Sequence, residues 1–347
     1  MSEKNHSTIR PLPRFIVGMS RAATTWMCKC LNEYSHAAAF GESAYWGRRY
    51  VQPESDGRYN FGQLEEIRLR LRTGGFIANV TRPGPGSLKS ITQETIPSLV
   101  DEIFEVLPER PTPGDVFTAI CDAIADAEWK DCAIEKTPHH INWADRILNA
   151  LPEASFVVML RDPYGFMLSC KHFGDSHPEW MRCTLFWHGY IETAMALRAV
   201  HPEQTHFVWY EDVKSDPNGV LGGVKGFLGL PNVDLLAQVP PDNTSFPGHP
   251  RPCLRGEDVF WMNLLARRSI RRAGLEFQRV PLEPMRIIWS ILRLPSWAVR
   301  RSMHPWMRVR PMLGSGMLIL PHHSRRSQHS NRSSMSVQQQ KWCSAPG

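Results

Sequence analysis

The sequence predicts an α/β fold: a parallel sheet flanked by helices on both faces. Ser155-Phe156-Val157-Val158-Met159-Leu160 is an unbroken apolar run, the pattern of a strand covered on both sides. Arg14-Phe15-Ile16-Val17-Gly18 is a second short run, ending in glycine and feeding a polar turn and then helical spacing from Thr24 to Asn32. Strand-like and helix-like segments then alternate along the chain, the order that βαβ units produce.

Taken in order, the strand, loop and helix from Arg14 to Asn32 form a unit whose turn is of phosphate size. A turn-rich region follows, with Pro53, Gly57, Pro83, Gly84, Pro85 and Gly86, broken by a helix over Gln63 to Arg72. Loops of this composition lie over a surface, so it reads as a lid or acceptor-facing insertion. Helices fit Glu94 to Val106 and Asp115 to Trp129, and Asp131 to Thr137 reads as the second strand, running into Pro138. A helix over Asp145 to Ala150 precedes the strong strand at Ser155. Beyond it, helices fit Tyr164 to His172 and Trp180 to Val200, a strand fits His206 to Tyr210, and helices fit Asn218 to Leu228 and Glu257 to Ala273. The expected catalytic domain is residues 1–277, followed by a basic, partly helical extension over 278–321. Residues 322–347, rich in Arg, Ser, His and Gln, have the composition of a disordered tail. No internal repeat is present.

Composition bounds the function. With 42% apolar and 21% charged residues, the 347-residue chain fits a soluble globular class. Much of the formal +6 charge comes from arginines after Gln278, and a modest positive balance suits anionic ligands. No basic run with interleaved aromatics accompanies a nucleic-acid motif, so nucleic acid is not an expected partner. The eight cysteines are scattered, and the closest pair, Cys28 and Cys30, lacks metal-ligand spacing, so no metal is expected. Met1 to Arg14 has no apolar core of a leader, and no stretch reaches membrane-spanning length, which points to the cytoplasm.

The loop Gly18-Met19-Ser20-Arg21-Ala22-Ala23-Thr24-Thr25 joins a strand to a helix N-terminus, where backbone N–H groups and the helix dipole converge on an anion. Arg21 adds a charged contact, and Thr24 and Thr25 add hydroxyls. It is P-loop-like but not a nucleoside-triphosphate P-loop, because Ala23 and Thr24 stand where G-x-x-x-x-G-K-[ST] requires glycine and lysine. Arg161 ends the strong strand and Ser169 follows eight residues later, so the two can reach one phosphate together. Trp209-Tyr210-Glu211-Asp212 ends the next strand. All three segments fall at carboxyl ends of parallel strands, where open α/β sheets bind ligands.

Together these segments resemble the sulfotransferases that use 3′-phosphoadenosine 5′-phosphosulfate (PAPS), especially the branch of tyrosylprotein and many bacterial sulfotransferases, from about Arg14 to Phe277. The resemblance implies that Arg21, Ala22, Ala23, Thr24 and Thr25 bind the 5′-phosphosulfate, that Arg161 and Ser169 bind the 3′-phosphate, and that Tyr210 contacts the adenine nucleotide. It implies Glu42, in Phe40-Gly41-Glu42-Ser43, as the base that takes the acceptor's proton. Lys136, with Arg21, would stabilise charge on the leaving group. His139 is a rival base: cytosolic members place a histidine two residues after the lysine, where Pro138 stands here. The acceptor is a hydroxyl of unassigned class, facing loops over Tyr45 to Lys89 and Asp175 to Arg182.

The chain departs from the family's G-x-P-R-S-G-T-T loop at Ser20 and Ala23, and the Ala23 methyl, where backbone must approach phosphate, is expected to weaken donor binding. Gly248, Arg251 and Arg255 are candidates for the family's late donor contacts. Two other readings stand beside this one. A P-loop phosphotransferase such as a small-molecule kinase would need a metal, and a non-catalytic nucleotide-binding or membrane-surface protein would not turn over. For the second of these, Arg286 to Val299 mixes arginine, tryptophan and aliphatic residues as an interfacial helix does, divided by Pro295. The extension is therefore a candidate for peripheral contact with a membrane.

Overall fold

The computed structural model describes residues 13–72, 87–171, 179–231, 254–279 and 284–292. Strand β1, Arg14–Gly18, is apolar on both sides: Phe15, Ile16 and Val17 are fully buried, although consecutive strand residues point to opposite faces. It must end in glycine. Gly18 lies at φ +115°, and a Cβ there would stand 2.3 Å from the Met159 carbonyl oxygen. Helix α1, Thr24–Tyr34, starts after Ala23 and buries Trp26, Met27, Cys30 and Leu31 against the sheet.

Strand β2, Ala37–Gly41, is entirely buried. The sequence reading has no strand here, because Ala-Ala-Ala-Phe-Gly lacks the β-branched residues that mark one. Its small side chains fit because α1 packs closely on it. The chain then forms α2, Phe61–Arg72, α3, Ile96–Glu105, and α4, Pro113–Ala127. Helix α4 opens with a capping box in which the Thr112 hydroxyl accepts from the Asp115 N–H and Asp115 accepts from the Thr112 N–H. Strand β3, Cys132–Lys136, is therefore the third strand and not the second.

After β3, a 3-10 turn over Pro138–Trp143 leads to α5, Ala144–Ala150, and then β4, Ser155–Leu160. Helix α6, Pro163–Lys171, is capped by Asp162, whose Oδ1 accepts from the N–H groups of Tyr164 and Gly165. Helix α7, Glu179–Val200, and strand β5, Thr205–Trp209, follow. Tyr210, read from sequence as the last residue of that strand, instead opens α8, Tyr210–Ser215, and α9 spans Pro217–Phe227. The helix read over Glu257 to Ala273 divides at Ala266 into α10, Gly256–Leu265, and α11, Arg267–Arg272. Of the extension, α12, Pro284–Leu292, is described.

The five strands are parallel in the order β2-β3-β1-β4-β5. The connection from β1 runs to one edge and that from β4 to the other, which opens a crevice beyond their carboxyl ends. Right-handed crossovers put α1 on one face and α4 on the other. On the α4 side Phe117 stacks on Phe15 and Phe15 on Phe156, with ring centroids 5.0 and 5.4 Å apart.

Candidate active site

The residues assigned to anion binding follow the carboxyl ends of β1 and β4, with Tyr210 after the neighbouring β5. The Met19 N–H donates to the Met159 carbonyl at 2.8 Å, fixing the loop to the end of β4. Arg21 and Ala23 then adopt left-handed conformations, φ 73° and 63°, around the buried Ala22. Such conformations cost a residue with a Cβ about 1–2 kcal/mol each and persist where surrounding structure enforces them. They bring the chain to the start of α1, whose first N–H groups have no carbonyl partner one turn back and no side-chain cap. The Thr24 side chain is buried and that of Thr25 exposed.

Two guanidinium groups stand over this helix end. Arg21 Nε donates to Ser169 Oγ at 3.0 Å, and an Arg161 terminal nitrogen donates to the Arg21 carbonyl at 2.9 Å. Ser169 thus meets Arg21, whose carbonyl in turn accepts from Arg161. Arg161 lies 4.1 Å above the Tyr210 ring and accepts at its own carbonyl from Trp187 Nε1. Burial lowers the Arg21 pKa and, although Cys170 works the other way, the Arg161 charge adds to the lowering. Arg161 pairs with no carboxylate among the described residues, and its Nε is buried without a partner. A cation held by neutral groups beside an uncapped helix end fits the phosphates of an anionic nucleotide. Burial and the neighbouring Asp162 push the Glu211 carboxyl up to about 7.

Glu42 and Lys136 end adjacent strands, and the Lys136 Nζ stands 2.9 Å from Glu42 Oε1. The lysine side chain is 1% exposed and the glutamate 44%, so solvent and an acceptor reach the pair from the glutamate side. Gly41 makes room for the lysine, since a Cβ there would lie 2.7 Å from Lys136 Cε. The next residue, Ser43, is held from below. Its N–H and hydroxyl donate to Glu135 Oε1 at 3.1 and 2.7 Å, Thr137 donates to the same oxygen, and His140 Nδ1 lies 2.9 Å from Oε2. Glu135 is fully buried, which pushes its pKa up, but His140 and these hydrogen bonds outweigh burial and keep it below the ordinary value. A buried carboxylate thereby fixes the segment that carries Glu42.

His139 presents an edge to solvent while its Nδ1 lies 2.7 Å from the Tyr190 hydroxyl on α7. Desolvation lowers its pKa, His140 adds to this, and the Glu42 charge opposes it. Burial pushes the Tyr190 phenol pKa up, with Ser20 working the other way and the Glu42 charge adding to the rise, so one buried phenol lies near both the anion loop and the histidine. Tyr190, Glu135, His140, Ser43 and Gly41 escape the sequence reading. Gly41 alone carries a signal, a glycine directly before the candidate base. Trp26, Trp46 and Trp187 are buried in the core. Arg255 has its side chain near Glu257 at the start of α10, while Gly248 and Arg251, and parts of both acceptor-facing loops, lie outside the described residues. Among the described residues no group of three or more His, Cys, Asp or Glu side chains could hold a metal ion, and no helix is long and apolar enough to cross a membrane.

The profile described as the sulfotransferase family matches residues 13–234, well over half of the chain. Solved structures similar to it include a sulfotransferase domain from the Synechococcus PCC 7002 olefin synthase (17% identity, TM-score 0.45, covering 83% of this chain and 95% of that one). A sulfotransferase domain from the curacin biosynthetic pathway aligns at 16% identity and TM-score 0.43, over 83% of this chain and 98% of that one. A sulfotransferase from Alicyclobacillus acidocaldarius aligns at 14% and 0.42, over 75% and 93%. No curated protein sequence matches the chain. By the family match, the chain belongs to the sulfotransferase family and is a transferase.

Proposed function

From the premise that this chain is a sulfotransferase, we propose that its donor is PAPS and that Glu42, Lys136, Arg21 and Arg161 carry the transfer to an acceptor hydroxyl. The observation that carries this is Arg161, held by neutral partners beside the uncapped start of α1, with the Glu42–Lys136 pair ending adjacent strands of the same sheet. PAPS, when bound, supplies a sulfur already joined to a good leaving group, the 5′-phosphate oxygen.

Glu42 accepts the acceptor's proton as the new oxygen–sulfur bond forms. Arg21, the Thr24 and Thr25 N–H groups and Lys136 hold the negative charge left on the 5′-phosphate oxygen when the old sulfur–oxygen bond breaks. Arg161 and Tyr210 hold the nucleotide's 3′-phosphate and base, with Ser169 acting through Arg21. Positioning and charge supply the catalysis here, as they do in phosphoryl transfer. The six free cysteines among the described residues suit a reducing, cytoplasmic setting.

A second reading of the base rests on His139. It is not ion-paired to lysine, its depressed pKa keeps it neutral, and Tyr190 holds its Nδ1, so its Nε2 can take a proton if Nδ1 carries the hydrogen.

The test is incubation of the protein and an extract of the source organism with sulfur-labelled PAPS, a chelator present, and mass identification of the labelled product. A sulfated hydroxyl compound formed under these conditions supports the proposal. Transfer of phosphorus label from ATP that depends on magnesium, with none from PAPS, overturns it.

A further inference from the structure

Helix α12 is docked by its polar side. Ser290 is buried, accepts from Trp261 Nε1 on α10 at 2.8 Å and donates to the Ile287 carbonyl. Met285, Ile288, Trp289, Ile291 and Leu292 stand 46–64% exposed. An ordinary surface helix does the opposite, burying its apolar stripe and exposing its serines. The apolar surface continues along α10, where Leu264 and Leu265, three and four residues beyond Trp261, are 53% and 42% exposed.

The rim of this surface is basic. Arg267, Arg268, Arg271, Arg272 and Arg279 are exposed, whereas of the acids in the described residues 254–279 Asp258 is buried, the Glu257 side chain is 12% exposed and Glu276 is exposed, so the exposed charge of this stretch is mainly positive. Arg272 pairs with Glu192. No carboxylate on the described part of the surface pairs with Arg267 or Arg268.

We propose that α12, with the end of α10 and with α11, lies against an anionic phospholipid surface. Trp289 and the aliphatic side chains would enter the boundary between headgroups and acyl chains, and the α11 arginines would meet lipid phosphates. Aliphatic side chains beside tryptophan and arginine are the composition of an interfacial element. A nucleic acid would use the arginines and leave seven apolar side chains in water. A second copy of the chain, docked face to face, would set the α11 arginines against each other.

The experiment is sedimentation of the full chain with phosphatidylcholine vesicles, with and without phosphatidylglycerol, at low and high salt. The proposal expects binding to the anionic vesicles alone, weakening as salt screens the arginines. The double substitution Ile288→Ser with Trp289→Ser should reduce it at least about tenfold. Arg268→Glu with Arg271→Glu, which leaves the apolar face intact, should also reduce it, with circular dichroism showing each variant folded. Failure of the full chain to bind anionic vesicles at low salt overturns the proposal. So does binding that neither pair of substitutions changes, or a lipid-free dimer in light scattering that Ile288→Ser with Trp289→Ser dissolves. Neither vesicle binding nor its loss depends on the donor or acceptor chemistry.

Discussion

At the donor end of the site, the groups that would face an anion stand within a few residues of a strand end: Arg21 and Thr24 after β1, Arg161 after β4, Tyr210 after β5. At the acceptor end, Glu42 and Lys136 hang on side-chain bonds between segments 92 to 94 residues apart. Sheet topology delivers both sets to one edge, since parallel strands in register bring their exits together, but in the first set no buried carboxylate among the described residues holds the strand exits in place. The second set depends on one buried carboxylate, Glu135, with Ser43, Thr137 and His140 gathered around it. Substitutions at the donor end should therefore weaken a ligand while leaving the fold intact, and those beneath the acceptor end should cost the fold itself.

The largest expected effect follows from removing the buried carboxylate. Glu135→Ala leaves the Ser43 N–H, two hydroxyls and His140 without their acceptor, and should cost about 3–5 kcal/mol in urea unfolding. A loss below about 1 kcal/mol would show that the acceptor end does not hang on this group.

Next comes Glu42→Gln, expected to lower kcat by roughly a hundredfold or more with donor binding kept, because an amide takes no proton. Full turnover in Glu42→Gln with loss in His139→Ala would move the role to His139. The pH profile separates the two independently. A His139 base works when neutral, so kcat/KM would rise with pH through a value below the ordinary 6.5, the direction in which desolvation has moved it. Tyr190→Phe would shift that limb. With Glu42 as the base, Tyr190→Phe leaves the acid limb in place.

The smallest effect belongs to the donor loop. Ala23→Gly removes a Cβ from a residue at φ 63°, and should raise stability by about 1 kcal/mol while tightening the bisphosphate product nucleotide. Unchanged unfolding in Ala23→Gly would mean that the loop carries no strain at this residue.

Legibility in the sequence follows the same division. Strands such as Ser155–Leu160 announce themselves by burial on both faces, and Arg21 and Arg161 were readable because each follows such a strand directly. Strand β2 was not, because alanine at Ala37 to Ala39 carries no strand signal and its place is set by the helix packed on it. Tyr190 reads from its helical spacing as one more core aromatic, and only the packing of α7 beside the 3-10 turn puts its hydroxyl on His139. The contact of Ser169 with Arg21 was hidden for a related reason. Spacing tells which groups leave the same edge, and the path of the left-handed loop decides which of them meet.

The central claim is that the crevice between β1 and β4 holds a nucleotide with phosphates at both ends, and calorimetry on Arg161→Ala tests it most directly. The unsubstituted chain should bind adenosine 3′,5′-bisphosphate more tightly than adenosine 5′-monophosphate. Arg161→Ala should remove about 1.5–3 kcal/mol from the bisphosphate and much less from the monophosphate. Equal losses for both nucleotides, or no preference for the bisphosphate in the unsubstituted chain, would contradict the account.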